Sequence, residues 1–159
     1  MPPGFIKLGE AASFSPLRPG NPVAEPIRRH ARLVIIEDTQ VLLDLYLERL
    51  GRLKDVTVCN RGAVESAGDA LTLFLAHRPD IVVTDLSLTQ GGTEGFDILR
   101  RIKERSPATR VILTSSVYRP ENTDELSLEI KAAPFDAAFN KFDFDHLLWK
   151  IESIAREAR

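Results

Sequence analysis

Residues 81–85 have the sequence Ile-Val-Val-Thr-Asp, an apolar run that ends abruptly in a carboxylate. With the preceding aspartate, the segment 80–85 has the length of a strand, and its apolar run is continuous rather than alternating with polar residues. This pattern is typical of a strand that is buried on both faces. Such strands belong to parallel sheets covered by helices on both sides. We therefore expect helical segments before and after this run.

Helical and strand patterns do alternate outward from that run. In the first predicted helix, apolar residues recur at positions 41, 42, 45, 46 and 50, and Gly51 closes it. Five repeats in about 125 residues predict an α/β fold of the flavodoxin-like, doubly wound (βα)5 type with a five-stranded parallel sheet. The predicted strands are 33–36, 55–59, 80–85, 111–113 and 137–139, and the predicted helices are 41–50, 63–77, 96–105, 121–131 and 143–158.

The N-terminal segment differs from the remainder of the chain. Its first 30 residues contain six of the ten prolines and three of the nine glycines, and their apolar residues show no period. We interpret residues 1–31 as a flexible Pro-rich arm and residues 32–159 as one domain. The basic cluster 28–32 is interpreted as a solvated linker in preference to a binding patch.

Composition excludes several classes of protein. The net charge of -2 argues against a general binder of nucleic acid or of membrane surfaces. The single cysteine, Cys59, excludes a disulfide within the chain and a cysteine metal cluster, and its apolar surroundings predict a small buried side chain. Since no segment approaches the roughly 18 apolar residues of a membrane span and no signal-peptide core is visible, we expect a cytoplasmic protein.

Chemically active side chains follow four of the five predicted strands: Glu37-Asp38, Asp85, Thr114 and Lys141. A parallel sheet brings its carboxyl ends to one edge, where ligands bind. Three carboxylates packed together repel one another unless a cation joins them, and hard oxygen ligands select Mg²⁺. One carboxylate could then act as a nucleophile toward phosphorus, with the lysine and the threonine hydroxyl holding phosphoryl oxygens.

Over about residues 32 to 158, the chain resembles the receiver domain of two-component response regulators. The resemblance rests on the strand-end residues in their order along the chain, and the segment 95–103 is also similar to the third helix of that family. It implies that Asp85 is the phosphoacceptor. It implies that Asp38, Asp85 and the backbone carbonyl of Ser87 bind Mg²⁺ directly, with Glu37 acting through water.

The same resemblance implies that Thr114 and Lys141 bind the phosphoryl group. A sensor histidine kinase or a phosphotransfer protein would donate it, and the receiver would signal to an unknown downstream protein by contact. Because the sequence ends at Arg159, just after the last helix, we interpret it as a stand-alone receiver, although a truncated piece of a longer regulator would look the same. Homodimerisation through the last two helices is left open.

Three features depart from the family pattern. Phe142 replaces the proline that usually follows the lysine, so the preceding peptide bond is expected to be trans. The loop 86–92 lacks the common Met-Pro pair and is about two residues longer. The position three residues before Lys141, usually aromatic, is Ala138, with Phe139 next to it.

Two alternatives remain at this stage. A pseudo-receiver would keep the fold and bind partners without phosphorylation, whereas a small phosphatase would use an aspartyl nucleophile but lacks a visible second acid. The helical period places Trp149 off the apolar face of the last helix, where it contacts either a partner or another part of the chain.

Overall fold

The structure is a computed structural model, and it describes residues 30–87, 94–116 and 135–157. The elements that it describes follow the predicted order along the chain. The strands are β1 (Ala31–Ile36), β2 (Val56–Val58), β3 (Ile81–Asp85), β4 (Arg110–Ser115) and β5 (Ala137–Asn140), and the helices are α1 (Gln40–Leu50), α2 (Ala67–His77), α3 (Glu94–Arg105) and α4 (Phe144–Glu157). The predicted helix 121–131 and nearly all of the predicted arm, residues 1–29, lie outside the described residues.

The five strands form one parallel sheet in the order β2-β1-β3-β4-β5. The flavodoxin-like, doubly wound α/β prediction is therefore confirmed. The chain runs first to one side of β1 and then to the other, so that β1 and β3 are neighbours although β2 lies between them in sequence. A doubly wound sheet places its ligand crevice at such a switch point, at the carboxyl ends of the strands.

Two hydrophobic layers, one on each face of the sheet, form the core. Leu33 and Ile35 of β1 face α1 and α4, while Val34 and Ile36 face α2 and α3. Successive side chains of a strand point to opposite faces, so both sets are buried, at 1% exposure or less. Burial on both faces explains why the strands have continuous apolar runs instead of alternating ones.

The apolar face of α1 differs from the one that the sequence suggested. Val41 and Leu45, which were part of the predicted pattern, are 72% and 43% exposed, whereas Leu43 is fully buried. Tyr46 is also buried and lies on the same side as Leu42 and Leu50 in the first hydrophobic layer. A helix with apolar residues on most of its circumference has no single stripe from which the buried side could be chosen.

Helix α2 begins four residues later than predicted. Its N-cap is Ser66, whose hydroxyl accepts a hydrogen bond from the backbone N–H of Asp69 at 3.1 Å. A serine side chain that satisfies a free N–H of the first turn fixes the start of a helix. The helix ends at His77, followed by Arg78 with a left-handed φ of 44° and then by Pro79.

Strand β2 is shorter than predicted, and Asn60 continues its pairing with a side chain. The Asn60 Oδ1 accepts from the backbone N–H of Ile35 at 2.9 Å, and its Nδ2 donates to the carbonyl of the same residue at 2.7 Å. The amide group thus replaces the backbone of a strand residue and satisfies both buried polar groups of Ile35. Cys59, predicted to be buried, is only half-buried against the second hydrophobic layer.

Among the helices that the structure describes, none combines the length and the apolar character needed to cross a bilayer.

Candidate functional site

Three carboxylates meet at the carboxyl edge of the sheet. Glu37 and Asp38 follow β1, and Asp85 is the last residue of β3, which pairs directly with β1. Each of the three offers an oxygen atom that lies within 4.8 Å of the others. Glu37 and Asp85 are 1% and 5% exposed, and Asp38 is half-buried. The sheet therefore assembles the predicted acidic cluster at the switch point.

Lys141 neutralises part of this charge. It follows β5, and its Nζ lies 3.0 Å from Asp85 Oδ2 and 3.7 Å from Glu37 Oε2. The second oxygen of Asp85 accepts a hydrogen bond from the backbone N–H of Ser87 at 3.2 Å. Both oxygens of the buried Asp85 carboxylate are thus held, which fixes its orientation.

Burial raises the pKa of Glu37 from its ordinary 4.5 to about 7. The neighbouring Asp38 side chain and the charge of Asp85 add to the rise, whereas the charge of Lys141 and the backbone N–H of Thr39 oppose it. Burial lowers the pKa of the Lys141 ammonium, but its hydrogen bond and charge interaction with Asp85, with smaller contributions from Glu37 and Asp38, raise it above 10.5. The ammonium stays charged while Glu37 is near its midpoint at neutral pH.

The donor set fits a small hard cation. Glu37 Oε2 is buried and has no hydrogen-bond donor among the described residues, although its neighbours are two further carboxylates. An orphaned buried oxygen of this kind is costly unless an ion, or water bound to an ion, satisfies it. Three carboxylates without His or Cys favour Mg²⁺ over transition metals.

Thr114 lies beside the cluster but its hydroxyl is engaged. It is directly opposite Asp85 in the register of β3 and β4, and it is 1% exposed. Its Oγ1 donates to the carbonyl of Thr84 at 3.4 Å, a long hydrogen bond that is easily exchanged. The roles predicted for Thr114 and for the Ser87 carbonyl stay predictions.

Gly95 allows the first turn of α3 to lie against the end of β3. A Cβ atom at this position would lie 2.4 Å from the carbonyl oxygen of Asp85 and 2.7 Å from the Cα of Leu86. The backbone N–H of Gly95 donates to the Leu86 carbonyl at 3.0 Å. Only glycine permits this approach, so the sequence of α3 helps to place Asp85.

Tyr46 is a site residue that the sequence did not reveal. It is 2% exposed on α1, and its hydroxyl donates to the backbone carbonyl of Lys141 at 2.7 Å. Burial raises the pKa of this hydroxyl above its ordinary value, as do the charges of Glu37 and Asp85, while Thr114 has a smaller opposite effect. A tyrosine in an otherwise aliphatic helix face was the available signal, because a buried hydroxyl needs a partner.

The residues around Lys141 include two of the three positions at which the sequence departs from the family pattern. No peptide bond among the described residues is cis, so the bond before Phe142 is trans as predicted, and Phe142 is 62% exposed. Ala138 and Phe139 are both half-buried, on opposite faces of the sheet. Most of the loop 86–92, which was predicted to be about two residues longer than usual, lies outside the described residues.

Comparison with known proteins agrees with this geometry. The family model for the response regulator receiver domain matches residues 33–150. The chain therefore belongs to the response regulator receiver domain family of two-component signalling. No curated protein matches the sequence significantly.

Solved structures with this fold are numerous. A LuxR-family two-component response regulator from Aurantimonas sp. SI85-9A1 has a TM-score of 0.67 at 25% identity, over 80% of this chain and 86% of that one. The BeF3-activated DrrB receiver domain has a TM-score of 0.62 at 25% identity, over 80% of this chain and 98% of that one. The response regulator domain of CheB from Thermotoga maritima has a TM-score of 0.64 at 18% identity, over 82% of this chain and 96% of that one. This identity is low enough that the similarity supports the fold alone.

Proposed function

We propose that this receiver domain accepts a phosphoryl group on Asp85 in a reaction that depends on Mg²⁺. The donor is a phosphohistidine of a sensor histidine kinase or of a phosphotransfer protein. The observation that carries this proposal is the cluster itself: three carboxylates whose oxygens lie within 4.8 Å of one another, beside an ammonium 3.0 Å from the buried Asp85. An ordinary solvated turn has no reason to assemble these groups.

The chemistry requires no general base, because the Asp85 carboxylate is already an oxygen nucleophile. One of its oxygens forms a bond to phosphorus as the bond between phosphorus and the donor nitrogen breaks, and the electron pair leaves with the histidine. Asp38, Asp85 and the backbone carbonyl of Ser87 would hold Mg²⁺ directly, with Glu37 acting through water, and the ion would neutralise charge on the carboxylate and on the phosphoryl oxygens. Lys141 already faces Asp85 and would bind a phosphoryl oxygen by a charge-assisted hydrogen bond.

The output follows from the new charge. An acyl phosphate next to β4 carries about 1.5 to 2 negative charges and three terminal acceptor oxygens, in place of the single charge of the Asp85 carboxylate. The Thr114 hydroxyl would exchange its long hydrogen bond to Thr84 for a phosphoryl oxygen, which would move the end of β4 and the residues that follow. We propose that a downstream protein in the cytoplasm recognises this change by contact.

The proposal is tested by intact-mass measurement after incubation with acetyl phosphate, with and without Mg²⁺. We expect one added phosphoryl group that requires Mg²⁺ and is lost in Asp85→Asn. The matched control is Asp145→Asn, which removes a charge from a side chain that is 95% exposed on α4. Addition of phosphate to the Asp85 variant, or none to the wild type with Mg²⁺, would contradict the proposal.

A further inference from the structure

The peptide bond between Lys141 and Phe142 has both of its polar groups held by side chains. Its carbonyl oxygen accepts the hydrogen bond from the Tyr46 hydroxyl at 2.7 Å. Its N–H donates to Asn140 Oδ1 at 3.0 Å. These two groups belong to one planar amide, so the plane cannot rotate without breaking both hydrogen bonds.

Each of the two side chains is itself fixed. The Tyr46 ring is buried and packs edge-on against Phe144, with ring centroids 5.2 Å apart. The Arg49 guanidinium lies 5.2 Å from the centroid of the same Phe144 ring. On the other side, Asn140 Nδ2 donates to the carbonyl of Ser116 at 3.2 Å. The two hydrogen bonds from Tyr46 and to Asn140, called the clamp below, therefore join α1, the start of α4 and the end of β4.

This amide plane sets the direction of the Lys141 side chain. The residue is held on one side by its backbone N–H, which donates to the Ser115 carbonyl at 3.1 Å, and on the other by the clamped plane. Its Nζ must reach from there to Asp85 Oδ2. A proline at position 142 would restrict this junction through its ring, whereas Phe142 imposes no such covalent restriction and leaves the two hydrogen bonds to hold the plane.

We propose that Tyr46 and Asn140 are positioning residues that clamp the Lys141–Phe142 peptide plane and so direct the Lys141 ammonium at Asp85. The inference rests on the proposed function, in which Lys141 binds the phosphoryl group. In this chain, two side-chain hydrogen bonds take the place of a rigid residue after the lysine.

The first test is Tyr46→Phe, which removes one hydroxyl and keeps the ring against Phe144. We expect the rate of phosphorylation by acetyl phosphate to fall about fivefold, the size of one lost hydrogen bond. Asn140→Ala should have an effect in the same direction. The Mg²⁺ affinity of Tyr46→Phe, measured by calorimetry, should stay within about twofold of wild type, because its carboxylates are unchanged.

A double-mutant cycle separates positioning from general damage. When Lys141 is replaced by Met, adding Tyr46→Phe should slow phosphorylation no further, because no ammonium remains to be directed. The matched control is Thr109→Val, which removes another buried hydroxyl. The buried Thr109 hydroxyl donates to the carbonyl of Pro79 at 3.2 Å, at the amino ends of the strands and so away from the acidic cluster. Its loss should leave the rate of phosphorylation unchanged.

A second readout does not depend on phosphorylation. In the wild type, NMR should detect Lys141 ammonium protons that are protected from exchange by the ion pair with Asp85, and Tyr46→Phe should broaden them. Wild-type behaviour of Tyr46→Phe in both readouts, equal slowing by Thr109→Val, or full persistence of the effect without Lys141 would overturn the clamp. A wild type that gains no phosphoryl group refutes the proposed function alone, and the NMR comparison then decides on the clamp.

Discussion

At the scale of single residues, Gly95 shows how closely the backbone of α3 approaches the candidate site. Gly95→Ala would place a methyl group 2.4 Å from the carbonyl oxygen of Asp85, so the backbone of one or both elements must move. We expect a loss of about 2 kcal/mol in the free energy of unfolding, together with slower phosphorylation. Urea denaturation and the acetyl phosphate assay measure the two effects.

Gly68→Ala is the matched control, because Gly68 lies in the first turn of α2 and is exposed. The nearest atom to its added Cβ is Ser66 Oγ at 3.9 Å, an ordinary contact. Alanine should stabilise the protein here by roughly 0.5 to 1 kcal/mol and leave phosphorylation unchanged. Equal effects of the two substitutions would show that the close approach at Gly95 is unimportant.

Residues differ in how far the sequence alone could predict where their side chains lie. The meeting of Glu37, Asp85 and Lys141 was predictable because each lies at the end of a strand, and the ends of parallel strands must meet. Asn60 and Tyr46 were not, because their functions depend on which distant backbone group their side chain faces. No local pattern encodes that a helix residue will contact a carbonyl 95 positions later.

At the scale of elements, the end of α2 contains a strained residue. Arg78 adopts a φ of 44°, and its side chain is exposed. Glycine is preferred after a helix in this left-handed conformation because it lacks a Cβ. Arg78→Gly should therefore raise the free energy of unfolding by roughly 0.5 to 1 kcal/mol, seen as an increase in Tm.

The control for that substitution is Arg101→Gly, at an exposed position inside α3. There the backbone is helical, and glycine should lower the free energy of unfolding by about 1 kcal/mol. A decrease in Tm for both variants would contradict the assignment of strain to Arg78.

Element boundaries show what periodicity cannot determine. The sequence placed the start of α2 at residue 63, but the Ser66 cap sets it at Ala67. In α1 the apolar residues Val41 and Leu45 lie outside, because the packing of α4 and the sheet selects another side of a helix that is apolar nearly all round. Tertiary contacts choose among solutions that the local pattern allows.

At the scale of the whole molecule, the buried Glu37 links stability to pH. Its pKa is 4.5 in the unfolded chain and about 7 in the folded, metal-free protein, so the folded state binds more protons within this window. The free energy of unfolding should then fall as pH rises from about 4.5 to 7, by roughly 2 to 3 kcal/mol from this group. Urea titrations at several pH values measure this.

Glu37→Gln isolates this contribution, because the amide cannot ionise. The variant should lack the wild-type decrease, and the difference between the two curves cancels other groups that titrate in the same window. Saturating Mg²⁺ should also reverse the decrease in the wild type, since it binds the ionised form. Parallel pH curves for the wild type and the variant without metal would contradict the shifted pKa.

The fold as a whole was more predictable than its parts. Five strands alternating with helices permit few arrangements, since parallel crossovers are right-handed and the apolar runs must be covered on both faces. The strand order itself depends on where the chain changes direction, which the residue pattern does not encode.

That change of direction at β1 has a consequence for biosynthesis. The three carboxylates lie at the ends of β1 and β3, which are hydrogen-bonded neighbours, so all three are present once the chain has been translated to residue 85. Lys141 follows β5, the last strand of the chain and one of the two border strands of the sheet. A polypeptide emerging from the ribosome would thus contain its three carboxylates before the lysine that balances part of their charge, and this charge stays unbalanced by Lys141 until β5 is translated and docks.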